Sequence, residues 1–211
     1  GNFKTEISRD FAGITRVVIG INDFDFSYHL KSGEEFITPS VYCGHTKGFA
    51  EMSNQMNAYA IEHILPKRYA KEPLPVLYNS WEATGFNVHS LGQQKLAKIA
   101  ADIGCELFVM DDGWFGQRIN DHAGLGDWQV NKLKFPTGLK PLIDKVTKLG
   151  MRFGIWFEPE MVNPNSDLYR AHPDWAYHYD TRVSSQQRHQ LVLNLTREDV
   201  QEHVFRSMDD M

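Results

Sequence analysis

The second part of the sequence alternates short apolar runs with amphipathic helical segments. Four apolar runs predict strands, at residues 74–81, 105–111, 152–157 and 190–195. The other periodic segments predict helices, at residues 90–103 and 136–149 and from residue 196 to the end. Strands that alternate with helices are typical of parallel βαβ units. A (β/α)8 barrel and an open doubly wound sheet both contain such units, so the alternation alone permits either fold.

The positions of the polar side chains favour the barrel. The first three predicted strands end in polar and aromatic clusters, at residues 81–82, 111–114 and 156–160. In a barrel the carboxyl end of every strand faces one common site, so clusters at successive strand ends are expected. No glycine-rich loop follows the first strand, which argues against a dinucleotide-binding fold. Because a barrel needs eight units over about 250 residues, we predict an α/β fold that comprises the first four βα units of a (β/α)8 TIM barrel.

Residues 1–50 have a different pattern, in which short apolar runs such as Thr15–Ile21 and Phe24–Tyr28 are separated by turn residues. This pattern is typical of antiparallel strands from a sandwich. A helix at residues 51–65 ends at Pro66, and the charged stretch that follows, 67–73, is the predicted boundary. We therefore predict two domains. Residues 1–73 form the end of an antiparallel β-sandwich domain with a linker helix, and residues 74–211 form half of the barrel.

Composition narrows the classes of partner and compartment. The 211 residues carry a formal net charge of −5, so neither a nucleic acid nor an anionic membrane is an expected partner. No run of about 18 apolar residues predicts a membrane span, and Gly1–Asp10 does not resemble a signal peptide. The two cysteines, Cys43 and Cys105, have neither metal-site spacing nor a disulfide framework. They fit a reducing compartment, and the cytoplasm is the expected location.

The strongest local signal is the pair Asp111 and Asp112, followed by Gly113. Adjacent residues of a regular strand point to opposite faces, so both carboxylates can serve one ligand only where the strand ends. Gly113 permits the necessary turn. Ionised carboxylates accept hydrogen bonds from several donors, which suits the vicinal hydroxyls of a sugar. A helix N-cap and a Mg²⁺ site are the alternatives.

Other candidates follow the third strand and precede the fourth. Glu158 and Glu160 could pair with the aspartates as acid and nucleophile, because glycosidases need two carboxyl groups. Trp156 is either a platform for a sugar or a lid on the core, and Arg188 is either a donor to a sugar hydroxyl or carboxylate or an exposed surface residue. His172 could suggest a metal site, but Pro173 favours the end of a short helix.

Taken together, these motifs closely resemble the α-galactosidases of glycoside hydrolase family 36. The resemblance is dense over residues 75–211, and Gly150–Val162 is its most specific part. It is carried by the segments Asn79–Ala83, Leu107–Gly116, Gly124–Trp128, Lys134–Leu139, Gly150–Val162, His172–Trp175 and Arg188–Leu193. It is thinner in the first half, where Gly33–Pro39 resembles the tail of the family's N-terminal β-sandwich domain.

The resemblance implies a retaining hydrolase of terminal α-galactosides such as raffinose or melibiose, working without a cofactor or metal. By the same resemblance Asp111, Asp112, Trp156 and Arg188 bind galactose, and Trp81 lies at the rim of the pocket. The family's nucleophile belongs to a Lys-x-Asp motif on the next strand and its acid/base aspartate comes later. Neither motif occurs before Met211, so no catalytic residue is predicted in this chain. Family members are often tetramers, so a homo-oligomeric parent enzyme is expected.

Three departures from the family pattern accompany these matches. Gly85 stands where an aromatic residue is usual, Asn57 where His is frequent, and Asn194 where Asp is usual, just below the expected pocket.

Two other functions stay open at this point. One is a galactoside-binding relative that has lost turnover. The other is a metal-dependent barrel hydrolase that uses Asp111, Asp112 and His172, although no cluster of histidines at strand ends supports it.

Overall fold

The computed structural model describes residues 2–24, 26–179, 181–184 and 186–211. The chain divides into two compact units, Gly1–Glu72 and Pro73–Met211. The helices in the described part of the chain are all too short or too polar to cross a bilayer. Each unit is described below by itself.

The first unit contains an antiparallel hairpin and a helix. Strands β1 (Phe3–Arg9) and β2 (Thr15–Ile21) pair from Phe3 opposite Ile21 to Arg9 opposite Thr15. Helix α1 (Phe49–Tyr59) continues into a π-helical turn, Ala60–Ile64, that stops before Pro66. The predicted strand at 24–28 includes Asp25, which lies outside the described residues, and its described residues form no strand. The antiparallel pair agrees with the sequence pattern, whereas membership in a β-sandwich stays a prediction.

The second unit is a mixed α/β structure. Its strands are β3 (Leu77–Asn79), β4 (Leu107–Met110), β5 (Arg152–Ile155), β6 (Met161–Val162) and β7 (Leu191–Val192). Its helices are α2 (Trp81–Thr84), α3 (Ser90–Asp102), α4 (Lys140–Lys148), α5 (Asp167–Ala171) and α6 (Glu198–Asp209), with a 3-10 turn at Pro173–Trp175. The short helix end predicted around Pro173 is therefore present.

A three-stranded parallel sheet, in the order β3-β4-β5, forms the centre of this unit. Tyr78 pairs with Phe108, and Phe108 with Phe153. The sheet and helices α3 and α4 enclose a core that includes Phe108, Met110, Ala97 and Leu142. Since neighbouring parallel strands run in one direction, the residues that follow β3, β4 and β5 emerge at the same edge of the sheet.

The prediction of a fourth parallel strand at residues 190–195 is wrong for this structure. Only Leu191–Val192 is a strand, and it pairs antiparallel with Met161–Val162 rather than with β5. An apolar run indicates that a segment is extended, but not which partner it pairs with or in which direction. Here the chain leaves the sheet after β5, and β6 and β7 form a separate antiparallel pair. The parallel sheet therefore has three strands.

Local side chains set the starts of two helices. The His89 ring accepts a hydrogen bond from the Gly92 amide at α3, and the Ser166 hydroxyl accepts one from the Tyr169 amide at α5. Helix α6 begins without a side-chain cap. Thr196, where the sequence predicts that this helix begins, donates its hydroxyl hydrogen to Asn194 Oδ1 at 2.6 Å.

Gly113 lies where the loop after β4 closely approaches the loop after β3. Its φ of 100° is in the left-handed region, and a Cβ atom there would lie 2.8 Å from the Phe86 carbonyl oxygen and 3.0 Å from the Phe86 Cα. Backbone atoms cannot move aside as a flexible side chain can. Glycine is therefore required at this position both for its backbone angle and for the close approach.

We predict that Gly113→Ala destabilises the protein more than Gly150→Ala does. Both residues have a left-handed φ, but a Cβ at Gly150 would meet no atom within 4 Å. Both substitutions incur the left-handed penalty of roughly 1–2 kcal/mol, while Gly113→Ala adds an overpacking cost of about 1–3 kcal/mol. The free energy of unfolding, measured in urea by circular dichroism, gives the comparison. Equal losses in the two variants would show that the loops separate without cost.

Candidate functional site

A cavity of about 560 Å³ lies at the carboxyl ends of the parallel strands. All five predicted site residues line it, namely Trp81, Asp111, Asp112, Trp156 and Arg188. Asn79 and Glu82 complete the lining. The structure thus brings together side chains from the ends of β3, β4 and β5 and from the segment before β7. Their contact with a ligand stays a prediction.

Asp111 is held by hydrogen bonds to residues at the end of β3 and to its own neighbour Asp112. Its Oδ2 accepts a hydrogen bond from Asn79 Nδ2 at 2.6 Å, and its Oδ1 accepts one from the Asp112 amide at 2.7 Å. The Asp111 amide donates to the Ser80 hydroxyl at 3.0 Å. A carboxylate has about four lone-pair sites, so one site on each oxygen is still able to accept. Asp111 is therefore an oriented acceptor with capacity left for a ligand.

Asp112 forms a buried ion pair with Arg118. Both side chains are almost fully buried, with exposed fractions of 4% for Asp112 and 0% for Arg118. Arg118 Nε donates to Asp112 Oδ1 at 2.9 Å and Nη2 donates to Oδ2 at 2.8 Å. Its Nη1 donates to the Ala123 carbonyl and to Asn163 Oδ1, and its guanidinium lies 5.2 Å from the centre of the Phe86 ring. The rigid fork fixes the plane of the carboxylate.

Lys134 holds the loops around the two aspartates together. Its ammonium group donates to three backbone carbonyls, those of Phe86 at 2.9 Å, Gly113 at 2.6 Å and Arg118 at 2.9 Å. Burial lowers the pKa of Lys134, although the negative charge of Asp112 opposes this effect. All three donors of the group are satisfied without a carboxylate. Lys134 thus links the loop after β3 to the loop after β4.

The sequence interpretation missed Asn79, Arg118 and Lys134 as parts of the site. Asn79 and Lys134 lie in the motif segments, but no role was predicted for either. The sequence does show that Arg118 follows Asp112 by six positions. Nothing in the sequence pattern distinguishes it from an exposed arginine, because only the folded loop brings it behind the carboxylate.

Trp156 lies between the core and the cavity, so covering the core is one of its two predicted roles that the structure shows, and the sugar platform stays a prediction. Its amide donates to the Met110 carbonyl at 2.8 Å, and its own carbonyl accepts from Trp114 Nε1 at 3.0 Å. Its ring stacks with Phe115 at 6.2 Å and is tilted against Trp128 at the same distance. Trp156 therefore covers an aromatic part of the core while it also lines the cavity.

Arg188 lies on a strained turn. Arg188 and His189 have φ values of 53° and 60°, and they are the two non-glycine residues with positive φ in the described part of the chain. The Gln190 amide donates to the Gln187 carbonyl at 3.1 Å and closes the turn around them. Two successive positive φ values are what a two-residue type I′ turn requires. The arginine side chain is exposed, yet its turn places it at the cavity.

Glu158 and Glu160, the naive acid and nucleophile candidates, do not line the cavity. Burial, and next to it the charge of Glu160, raise the pKa of Glu158. Glu158 Oε2 accepts a long hydrogen bond of 3.4 Å from Gln190 Nε2. This carboxyl therefore lies beside the segment that carries Arg188, where the charges of Arg188, Arg118 and Asp112 also act on its pKa.

Two other sequence candidates lie elsewhere. The His172 ring stacks on the Trp175 ring with 3.9 Å between ring centres, and His172 lines a second cavity. Asn194, which was expected just below the site, lines a third cavity. The Asn194 Oδ1 accepts a hydrogen bond from the Thr196 hydroxyl at 2.6 Å, and its position just below the site stays a prediction. Within the described ranges no three His, Cys, Asp or Glu side chains are grouped to hold a metal ion.

Comparison with known proteins gives a consistent result. The sequence model of the family described as Melibiase matches residues 35–211. The chain is 43% identical to the α-galactosidase AgaA of Geobacillus stearothermophilus, with 100% of this chain and 29% of that protein covered. It is 42% identical to α-galactosidase 2 of Hypocrea jecorina, with 100% of this chain and 30% of that protein covered. The chain thus spans less than a third of the length of these relatives.

A solved structure supports the same assignment. The chain is similar to a variant of the GH36 α-galactosidase AgaA from Geobacillus stearothermophilus that was crystallised with raffinose. The TM-score is 0.89 at 42% sequence identity, with 99% of this chain and 29% of that chain covered. The chain belongs to the melibiase family, and the resemblance to family 36 α-galactosidases that its motifs predicted is confirmed.

Proposed function

We propose that this chain is the galactose-binding part of a longer α-galactosidase. The whole enzyme hydrolyses the bond that joins a terminal, non-reducing α-D-galactose residue to small galactosides of the raffinose and melibiose type. The observation that carries the proposal is the cavity, in which two pre-oriented carboxylates, a tryptophan ring and an arginine converge. Its volume of about 560 Å³ lies within the range of small-ligand sites, about 300–1,000 Å³. The raffinose complex of the relative AgaA supports this substrate class.

The chemistry of the proposed site is that of polyol recognition. Asp111 and Asp112 accept hydrogen bonds from neighbouring sugar hydroxyls, and because both carboxylates are already held, little side-chain entropy is lost on binding. Trp156 offers an apolar ring face beside these acceptors. Arg188, which also lines the cavity, supplies donors for a sugar oxygen. No cofactor or metal is needed for any of these contacts.

Turnover follows the retaining double displacement of the family. A nucleophilic carboxylate and an acid/base carboxyl group about 5–5.5 Å apart act in turn on the anomeric carbon. We assign both to residues outside this chain, by resemblance to the family. Glu158 and Glu160 lie off the cavity, which agrees with a supporting role for them. In this proposal the chain binds the galactose ring and the rest of the enzyme breaks the bond.

We extend the proposal to the domain organisation. The three parallel strands β3, β4 and β5 are the first strands of the TIM barrel, which replaces the predicted count of four. Residues 1–73 are the end of the N-terminal β-sandwich domain with its linker helix, and residues 74–211 belong to the catalytic barrel. A homo-oligomeric, tetrameric parent enzyme and a cytoplasmic location stay predictions.

A galactoside-binding relative without turnover is the second candidate. The same cavity would serve it, because none of the five lining residues of the prediction performs bond cleavage in the proposed mechanism. The two candidates differ in one measurement. A protein that only binds gives heat on titration with galactose or raffinose but releases no product. The enzyme gives heat on binding and also releases galactose from raffinose.

We predict that the full-length protein containing this chain hydrolyses p-nitrophenyl α-galactoside and that residues 1–211 alone do not. The chain alone lacks the assigned nucleophile and acid/base, so no covalent intermediate can form. Proton NMR of the fresh product should show the α-anomer of galactose first. Initial release of the β-anomer would contradict a retaining mechanism. Turnover by the isolated chain that disappears in its Asp111→Ala/Glu158→Ala variant would place the catalytic carboxylates within these residues.

We further predict that Asp111→Ala lowers kcat/KM of the full-length protein at least about a hundredfold. Two hydrogen bonds to a charged group contribute about 1.5–3 kcal/mol each. Asp111 is a better probe than Asp112, since removal of Asp112 would leave the buried Arg118 without its counter-charge. The matched control is Asp144→Ala, which removes an exposed aspartate paired with Lys140 on α4 and should leave the kinetics unchanged. A loss below about tenfold with an intact circular dichroism spectrum would exclude Asp111 from substrate binding.

A further inference from the structure

Asn163 connects the two sides of the cavity without lining it. The residue follows β6 directly and is fully buried. Its side chain makes four hydrogen bonds, two as acceptor and two as donor. An amide side chain has an acceptor oxygen with two lone pairs and two N–H donors, so the bonding capacity of Asn163 is complete.

The acceptor half of Asn163 faces the aspartate side. Oδ1 accepts from Arg118 Nη1 at 2.9 Å and from the Leu125 amide at 2.9 Å. Arg118 in turn holds both oxygens of Asp112. The position of the Asp112 carboxylate is thus tied to Asn163 through one buried guanidinium.

The donor half of Asn163 faces the arginine side. Nδ2 donates to the His189 carbonyl at 2.8 Å and to the Asp121 carbonyl at 3.0 Å. His189 directly follows Arg188, and both have left-handed φ values, which are unfavourable for a residue with a Cβ. The His122 ring also stacks on the His189 ring at 3.7 Å. A turn with this intrinsic cost persists only where its surroundings hold it.

We infer that Asn163 is a positioning residue that sets the place of Arg188 relative to Asp112 and thereby the affinity of the cavity for galactose. The inference rests on the proposed function, since it names the device that shapes the proposed site. Asn163 touches no substrate. It acts through Arg188, because the bond to the His189 carbonyl holds the strained turn on which the guanidinium is carried.

A double-mutant cycle in the full-length protein tests this role. Asn163→Asp keeps the acceptor toward Arg118 but replaces the donor toward His189 with an oxygen that repels the carbonyl. We expect KM for p-nitrophenyl α-galactoside to rise about tenfold or more, with a smaller change in kcat, as for a lost binding contact. In an Arg188→Ala background the same substitution should change KM less than about twofold, since the residue through which it acts is gone. The control Asn165→Asp, on an exposed side chain two positions on, should leave KM unchanged.

A residue that only stabilises the fold would behave differently. Equal effects of Asn163→Asp with and without Arg188, or an unchanged KM in the folded single variant, would overturn the inference. If Asn163→Asp does not accumulate in folded form, the smaller and neutral Asn163→Ser serves for the same cycle and the same two outcomes decide. Titration of the same four proteins with galactose by calorimetry gives their dissociation constants, from which the double-mutant cycle is calculated a second time. A wild-type protein that binds galactose but does not hydrolyse the substrate would refute the proposed enzyme, while the titration would still decide the role of Asn163.

Discussion

The buried ion pair between Arg118 and Asp112 is the interaction on which the geometry of the site depends. Two opposite charges removed from water are costly unless their geometry is good and their remaining donors are satisfied. Here Nε and Nη2 of Arg118 bind the carboxylate, and Nη1 binds the Ala123 carbonyl and Asn163. Loss of one partner would leave the other charge buried and unpaired, which costs about 3–5 kcal/mol. The pair thus constrains the loop after β4 to one conformation.

The other contacts of the site extend this constraint to neighbouring loops. Lys134 joins the carbonyls of Phe86, Gly113 and Arg118, and Gly113 permits the close approach to Phe86. Asn163 carries the constraint from Arg118 to the turn of Arg188. The Lys134 and Asn163 side chains are polar and partly or fully withdrawn from solvent, so each must find its hydrogen-bond partners within the protein. A cavity wall built in this way is pre-organised for a ligand.

The aspartate pair shows how far the sequence can be interpreted in physical terms. Alternation of strands and helices predicts an α/β unit, and residues that follow successive parallel strands must emerge at one edge of the sheet. The sequence alone therefore predicts that Asp111 and Trp156 lie close together. The adjacent Asp112 and Gly113 predicted a turn at the end of the strand, and β4 ends at Met110, just before both aspartates. Trp81 and Arg188, for which the sequence left other readings open and which the resemblance assigned to the site, line the same cavity.

The sequence by itself determined the α/β class, the parallel order of the first strands and the residues gathered at their ends. These follow from periodicity and chain direction, which are local properties. Only the tertiary structure decided that the run at 190–195 pairs with β6 instead of extending the sheet, because pairing depends on which edge the chain reaches. It also decided that Arg118 and Asn163 are buried and Lys134 half-buried behind the site, whereas Asn194 lines a different cavity. Burial of a charged or amide side chain depends on partners distant in sequence, and no local pattern records them.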